Sequence, residues 1–66
     1  MIEIKNRHLL DRVLTGFQDE IGYLDLDQIP GWLRAKGFEV RICRDEHLLW
    51  FRFDDEKEAV KFCLYW

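Results

Sequence analysis

Hydrophobic and polar residues alternate with different periods along the chain, and each change of period predicts a new element. Residues 1–5 alternate apolar and polar side chains, which predicts a short strand. Apolar residues then recur at helical spacing, which predicts an amphipathic helix over roughly 7–21. Asn6 is the expected N-cap of this helix and Gly22 its C-terminal glycine, while Gly16 should weaken it by about 1 kcal/mol relative to alanine.

Two aspartates precede a second predicted helix, and Asp27 is its expected N-cap. Pro30 falls in the first turn, where its missing N–H does no harm. Gly37 should end the helix in the left-handed conformation that glycine adopts readily. The apolar side of this helix is expected to be Ile29, Trp32 and Leu33, with Ala35 as a further candidate.

Period-two alternation after Gly37 predicts a β-hairpin, with a polar turn at 44–46 and a return strand over 48–53. One face of the hairpin should enter the core, because its side chains are consistently apolar: Phe38, Val40, Ile42, Leu49, Phe51 and Phe53. The opposite face is amphipathic and carries Arg41, Leu48, Trp50 and Arg52.

Four carboxylates open the last predicted helix: Asp54, Asp55, Glu56 and Glu58. Asp54 or Asp55 should be its N-cap, and the helix dipole favours negative charge in this turn. The expected buried stripe is Ala59, Val60, Phe62 and Cys63. Residues 64–66 either continue the helix or form a C-terminal strand stub with Leu64 and Trp66 turned inward.

The order β-α-α-β-β-α predicts an α+β fold, a small split βαβ (ferredoxin-like) arrangement whose first crossover holds two helices. A winged-helix-like fold is the alternative. It requires a basic recognition helix, whereas the second predicted helix offers only Arg34 and Lys36.

Length and composition limit the kinds of protein this can be. A chain of 66 residues with 48% apolar side chains predicts one small globular domain over 1–66. The net charge of −3 argues against general nucleic-acid binding, because phosphate affinity comes from clustered cations. No apolar run reaches the ~18 residues of a membrane span, and residues 1–8 lack a signal-peptide apolar region, so a cytoplasmic location is expected.

Residue types suited to catalysis or metal binding are few and scattered. His8, Cys43, His47 and Cys63 could bind zinc by type, but no pair has ligand spacing, and two lone cysteines make no disulfide framework. The chain has no serine to act as a nucleophile and no Gly-rich phosphate loop. We therefore expect no metal, no cofactor and no enzymatic activity.

The clearest candidate site is the amphipathic hairpin face with Arg41, Leu48, Trp50 and Arg52, because Trp and Arg are enriched at binding hot spots. Arg41, Trp50 and Arg52 could instead stack single-stranded nucleic acid, or helices could cover the face and make Trp50 part of the core. The carboxylates of Asp54, Asp55, Glu56 and Glu58 are a second candidate surface, unless capping accounts for them. Homodimerisation is compatible with each of these functions, because a small core gains stability by association.

The C-terminal third adds a family resemblance. An aromatic strand at 51–53 leads to Asp54, Asp55 and Glu56, then Ala59, Val60 and Phe62, and closes on Leu64 and Trp66. This pattern resembles the tail of short uncharacterised accessory proteins of tailed bacteriophages. The resemblance implies a small phage protein that binds a host or phage protein in the host cytoplasm and alters its activity. It brings no catalytic residues.

Overall fold

Three antiparallel strands form one sheet, and three α-helices lie against it, in a computed structural model that describes residues 1–66. The strands are β1 (Ile2–Ile4), β2 (Arg41–Arg44) and β3 (Leu49–Phe53), in the order β1-β3-β2. Because β1 and β2 are both antiparallel to β3, they are parallel to each other with β3 between them. This is the split βαβ arrangement, and the predicted α+β class is confirmed.

Helix α1 (Arg7–Ile21) has the ends that the sequence predicts. The Asn6 side chain accepts a hydrogen bond from the Leu9 backbone N–H at 3.0 Å, which caps the N-terminus. The C-terminus ends at Gly22 with φ 97°, in the left-handed region.

Helix α2 (Ile29–Ala35) begins differently from the prediction, because a 3₁₀ turn over Leu26–Gln28 leads directly into it. The Asp25 side chain caps this turn by accepting from the Asp27 backbone N–H at 3.0 Å, so the prediction that Asp27 is the N-cap was wrong. Gly37 follows with φ 95°, as predicted. Arg34 is the only cation within α2, so the winged-helix alternative lacks its basic recognition helix.

Helix α3 (Glu56–Tyr65) is capped by Asp55, whose side chain accepts from the Lys57 backbone N–H at 2.9 Å. The helix continues through Leu64, and the Trp66 backbone N–H bonds to the Phe62 carbonyl at 3.0 Å. The strand-stub alternative for 64–66 was therefore wrong, because these residues satisfy their backbone within the helix.

The buried stripe of α3 is narrower than predicted. Ala59 and Phe62 are buried, but Val60 is 51% exposed and Cys63 is exposed as well. Only the side of α3 that carries Ala59, Phe62 and Trp66 faces the sheet and the other helices. Val60 and Cys63 lie on the flank beside β1, which is too short to cover them.

The core lies between the sheet and the three helices and consists of 11 buried apolar residues. Phe38 and Val40 belong to it, as predicted, although the strand starts only at Arg41 and not at Phe38. Two other members of the predicted core face are less buried: Ile42 packs against the core, and Leu49 is half-buried outside it. The other members of the core come from every helix and from β3: Leu9, Val13, Phe17, Ile29, Leu33, Phe51, Phe53, Ala59 and Phe62.

Gly16 allows Trp66 to pack on α1. A Cβ at position 16 would lie 3.0 Å from a ring carbon of Trp66, which is closer than a methyl group can approach without displacing the ring. The centre of the Trp66 ring also lies 5.7 Å from that of Trp32. The backbone carbonyl of Trp66 accepts a hydrogen bond from Arg12 Nε at 2.7 Å. The glycine that weakens α1 locally is therefore the residue that admits the end of α3.

A polar cluster joins α1 to α2 at their ends. The Trp32 indole N–H donates to the Glu20 carboxylate, and Lys36 Nζ lies 3.2 Å from the same carboxylate. Lys36 Nζ also lies 4.9 Å from the centre of the Trp32 ring, a cation–π contact. The hydrogen bond from Trp32, followed by the contact with Lys36, lowers the pKa of Glu20.

Asp45 holds the hairpin turn between β2 and β3. Its Oδ1 accepts from the backbone N–H of His47 at 2.9 Å and of Leu48 at 2.8 Å. These two hydrogen bonds lower the pKa of the Asp45 carboxyl, and the bond from His47 has the larger effect. The turn is thus stabilised by the charged form of Asp45.

We predict that Gly16→Ala raises the free energy of unfolding more in the Trp66→Ala background than in the wild type. The difference should be about 1 kcal/mol, which is the helix-propensity gain of alanine over glycine. In the wild type that gain is offset by the crowding against Trp66. Urea unfolding of the four proteins measures this coupling. Gly31→Ala is the control, because nothing lies within 4 Å of its added Cβ and its effect should be the same in both backgrounds. Equal gains for Gly16→Ala in both backgrounds would contradict the proposed packing.

We predict that the advantage of wild type over Asp45→Asn is lost in acid. The folded state lowers the pKa of Asp45, so its contribution is complete above the unfolded value and disappears as pH falls through the lower folded value. Thermal unfolding of both proteins from neutral to strongly acid pH tests this. Glu46→Gln, in the same turn but without a backbone hydrogen bond, is the matched control against which the pH dependence of Asp45→Asn is compared. A constant difference between wild type and Asp45→Asn at every pH would show that charge at Asp45 is irrelevant.

Candidate binding surface

The sheet face that points away from the helices is open, and we call it the outer face. Phe51 and Phe53 of β3 point into the core with all three helices, so the alternate residues of the sheet point the other way. Trp50 is half-buried on this side and no helix covers it. The outer face carries Glu3 from β1, Arg41 and Cys43 from β2, and Trp50 and Arg52 from β3.

Trp50 is held in place by residues at the edge of the sheet. Its indole N–H donates to Glu3 Oε2 at 3.2 Å, although these residues are 47 positions apart in sequence. Lys5 Nζ lies 4.9 Å from the centre of the Trp50 ring, which is within cation–π distance. Cys43 is its cross-strand neighbour. One edge of the indole is thus fixed, and part of the ring stays accessible.

Arg41 and Arg52 lie directly opposite each other on β2 and β3. Like charges in this position destabilise a sheet. The contact of Arg41 with Asp54 reduces the repulsion, since Arg41 Nη2 lies 3.5 Å from Asp54 Oδ2; the Arg52 guanidinium contacts the uncharged Met1 sulfur. The Arg41–Asp54 pair contributes at most about 1 kcal/mol, because both side chains are 68% exposed. The sequence therefore keeps two arginines together at some cost to stability.

A small polar cavity of about 160 Å³ lies beside the two arginines, between them and the start of α3. Its lining is mostly charged, with both signs present, and Val40 is its only apolar residue. Small-molecule sites are usually apolar and enclose ~300–1,000 Å³. The cavity is too small and too charged to resemble such a site.

Leu48 lies at the hairpin end of the outer face and is 53% exposed. Its backbone N–H and carbonyl are both bonded to Asp45, at 2.8 and 3.0 Å. The turn therefore presents an apolar side chain on a fixed backbone, two residues before Trp50 on the same side of the chain. The four residues predicted as one binding site, Arg41, Leu48, Trp50 and Arg52, are brought together along the hairpin.

The acidic residues at the start of α3 are mostly occupied by contacts within the fold. Asp55 caps the helix, Asp54 pairs with Arg41, and Glu58 Oε2 lies 3.0 Å from Lys61 Nζ. Glu56 is exposed and forms no ion pair. The acidic set touches the outer face only through the Asp54–Arg41 pair, so the two candidate sites meet at one point.

Three residues of β1 and its flanks contact the outer face and were missed by the sequence analysis: Met1, Glu3 and Lys5. Their alternation identified a strand with one polar face, but it could not show which strand lies beside it. The pairing of Glu3 with Arg52 across β1 and β3 supplies that information.

The residues considered for metal binding or nucleophilic catalysis do not converge. No group of three or more His, Cys, Asp or Glu side chains is arranged to hold a metal ion. Cys43 lies on the outer face, Cys63 on the flank of α3, and both are free thiols. His47 is exposed in the turn, with Nε2 3.7 Å from Glu46.

None of the helices has the length and apolar character needed to cross a membrane. No family model, curated protein or solved structure matches the chain. The geometry of the outer face is therefore the basis for any functional conclusion.

Proposed function

We propose that the protein is a non-enzymatic interaction module that binds another protein through the outer face of its sheet. The observation that carries this proposal is the half-exposed Trp50 on a sheet face that no helix covers, beside Arg41 and Arg52. Tryptophan and arginine dominate the energetics of protein interfaces, and a large aromatic side chain at the centre of a patch is typical of a hot spot.

Preorganisation of Trp50 supports the proposal. Its hydrogen bond to Glu3 and its contact with Lys5 restrict the ring before any partner binds. Binding therefore loses less side-chain entropy than it would with a free tryptophan. Leu48 adds a fixed apolar side chain at one end of the face, and the arginines add directional hydrogen-bond donors at the other.

The mechanism that follows from this surface is occlusion. The cavity beside the outer face is small and mostly charged, so a partner would be covered by the face rather than enclosed in a pocket. The resemblance of the C-terminal third of the chain to accessory proteins of tailed bacteriophages suggests a host or phage protein in the host cytoplasm as the partner. The protein would then inhibit or modulate that partner by blocking part of its surface.

A second candidate function is the binding of single-stranded nucleic acid. Three cations, Lys5, Arg41 and Arg52, lie around or beside Trp50 on the open face, and an aromatic ring among cations can stack a base. Glu3 and Asp54 contribute negative charge to the same surface, and the chain carries a net charge of −3. The protein-binding proposal is therefore favoured.

We predict that Trp50→Thr abolishes specific capture of a partner while leaving the fold intact. Threonine preserves strand propensity, and Trp50 is not part of the core, so secondary structure should not change. The measurement is quantitative affinity capture from a bacterial host lysate, with circular dichroism of each variant. Loss of the main hot spot should raise the dissociation constant at least about tenfold, which corresponds to 1.4 kcal/mol, and recovery should fall with it.

Tyr23→Thr is the matched control, because Tyr23 is 53% exposed in the loop after α1, away from the outer face. It should capture the partner as the wild type does. Equal recovery with Trp50→Thr and wild type would exclude the outer face as the binding site. Unfolding of Trp50→Thr would show instead that the indole supports the fold.

For the nucleic-acid alternative, we predict that single-stranded RNA or DNA oligonucleotides at low salt quench the fluorescence of Trp50, and that added salt reverses the quenching. Trp50→Thr should remove the signal, since Trp32 and Trp66 contact each other and the core. Absence of salt-dependent quenching in the wild type would rule out this function and leave the protein-binding proposal unaffected.

A further inference from the structure

The sheet has an unpaired edge at β1, because β3 lies on only one side of it. Beside this edge, β1 and α3 enclose an apolar groove of about 540 Å³. Six of its seven lining residues are apolar or cysteine: Ile2, Ile4, Ala59, Val60, Cys63 and Leu64. An open strand edge next to an apolar groove can accept a further strand.

Two large apolar side chains on this flank are exposed to solvent, although burying apolar surface would stabilise the protein. Leu64 is 83% exposed and Val60 is 51% exposed, one helical turn apart on α3. Both would be covered if another chain extended the sheet past β1. They are not needed for the core, which is complete without them.

The charges of β1 and of Lys5, directly after it, specify which chain fits there. In an antiparallel pair of two β1 strands centred on Ile4, Glu3 of each copy lies opposite Lys5 of the other, and both isoleucine side chains stay on the core face. Centring the pair on Glu3 or on Lys5 places like charges opposite each other, which is destabilising. Shifting the second strand by one residue relative to the first would turn its isoleucines to the outer face.

We propose that a second copy of this chain binds along β1, with a two-fold axis at Ile4, to form a symmetric dimer. The two sheets join into one sheet of six strands, in the order β2-β3-β1-β1-β3-β2. The axis is perpendicular to the sheet, so the two α3 helices lie side by side and antiparallel beneath it. Val60 and Leu64 of each copy then cover the groove of the other.

Sedimentation equilibrium over a range of concentrations tests the dimer. The expected mass rises from 8.1 kDa to about twice that value as concentration increases. Leu64→Lys should shift the dissociation constant upward at least about tenfold without unfolding the monomer, since Leu64 is 83% exposed and a cation suits a helix C-terminus. Leu24→Lys, at an exposed leucine near Arg44 of the opposite sheet edge, should leave the dimer unchanged.

A mass of 8.1 kDa at every concentration would overturn the proposal and leave the groove to a partner of another kind. Dimers that survive Leu64→Lys would also overturn it, because they would form through another surface. Both results are independent of Trp50 and of the protein-binding proposal.

Charge exchange tests the register. Glu3→Lys alone and Lys5→Glu alone should each weaken self-association, because each places like charges opposite one another in both symmetric positions. A mixture of the two variants should form a heterodimer, since every pair is then of opposite charge. Failure of the mixture to associate more tightly than either variant alone would exclude this register.

Cysteine crosslinking tests the position of α3. A short bismaleimide should link two copies through Cys63, which lies in the groove at the axis side of α3. Cys43→Ser should not affect crosslinking, because Cys43 is on β2 at the far edge of the sheet, whereas Cys63→Ser should abolish it. Crosslinks that depend on Cys43 and not on Cys63 would contradict the arrangement.

Discussion

The structure depends on the position of one ring, that of Phe62 in α3, which is fully buried. Its centre lies 5.0 Å from Phe51, 5.3 Å from Phe53 and 5.4 Å from Phe38. The last helix, the central strand and the segment before β2 are therefore joined at a single side chain. Aromatic pairs of this kind contribute about 0.5–1.5 kcal/mol each beyond the burial of apolar area, a substantial fraction for a domain of this size.

The core around Phe62 lies on only one face of the sheet. The two open surfaces, the outer face and the flank beside β1, follow from that arrangement. The three helices are needed on the face that carries Phe51 and Phe53, so no element remains to cover the outer face. The three-residue strand β1 covers only part of α3, which leaves Val60 and Leu64 exposed on its flank. Small chains bury a smaller fraction of their surface than large ones. These two places are part of the uncovered surface, and Ile21, Tyr23 and Leu24, at the end of α1 and just after it, are exposed as well.

Local rules predicted the parts of the fold that local physics determines. The ends of α1, the left-handed glycine at Gly37 and the two faces of β3 depend on neighbouring residues and were correct. The role of Gly16, the exposure of Val60 and the contact of Glu3 with Trp50 each depend on pairing over long sequence separations. Helical periodicity predicted Val60 and Cys63 as buried beside Ala59 and Phe62, and these two are exposed. Periodicity carries no information on how much of that side of α3 the strand β1 can cover.

Glu3 and Lys5 contact Trp50 on the outer face and also belong to the proposed dimer interface, so dimerisation would act on the surroundings of Trp50 although neither proposal requires the other. Glu3 accepts from the Trp50 indole on the outer face, and the same carboxylate would lie opposite Lys5 of a second copy. A carboxylate can accept several hydrogen bonds, so the two contacts are compatible. Dimerisation would then fix Glu3 more firmly and Trp50 with it. In the proposed dimer the two-fold axis is perpendicular to the sheet, so both outer faces would lie on the same side and would present two Trp50 side chains to one partner surface. Bivalent contact of this kind raises affinity without any new interaction within a single copy.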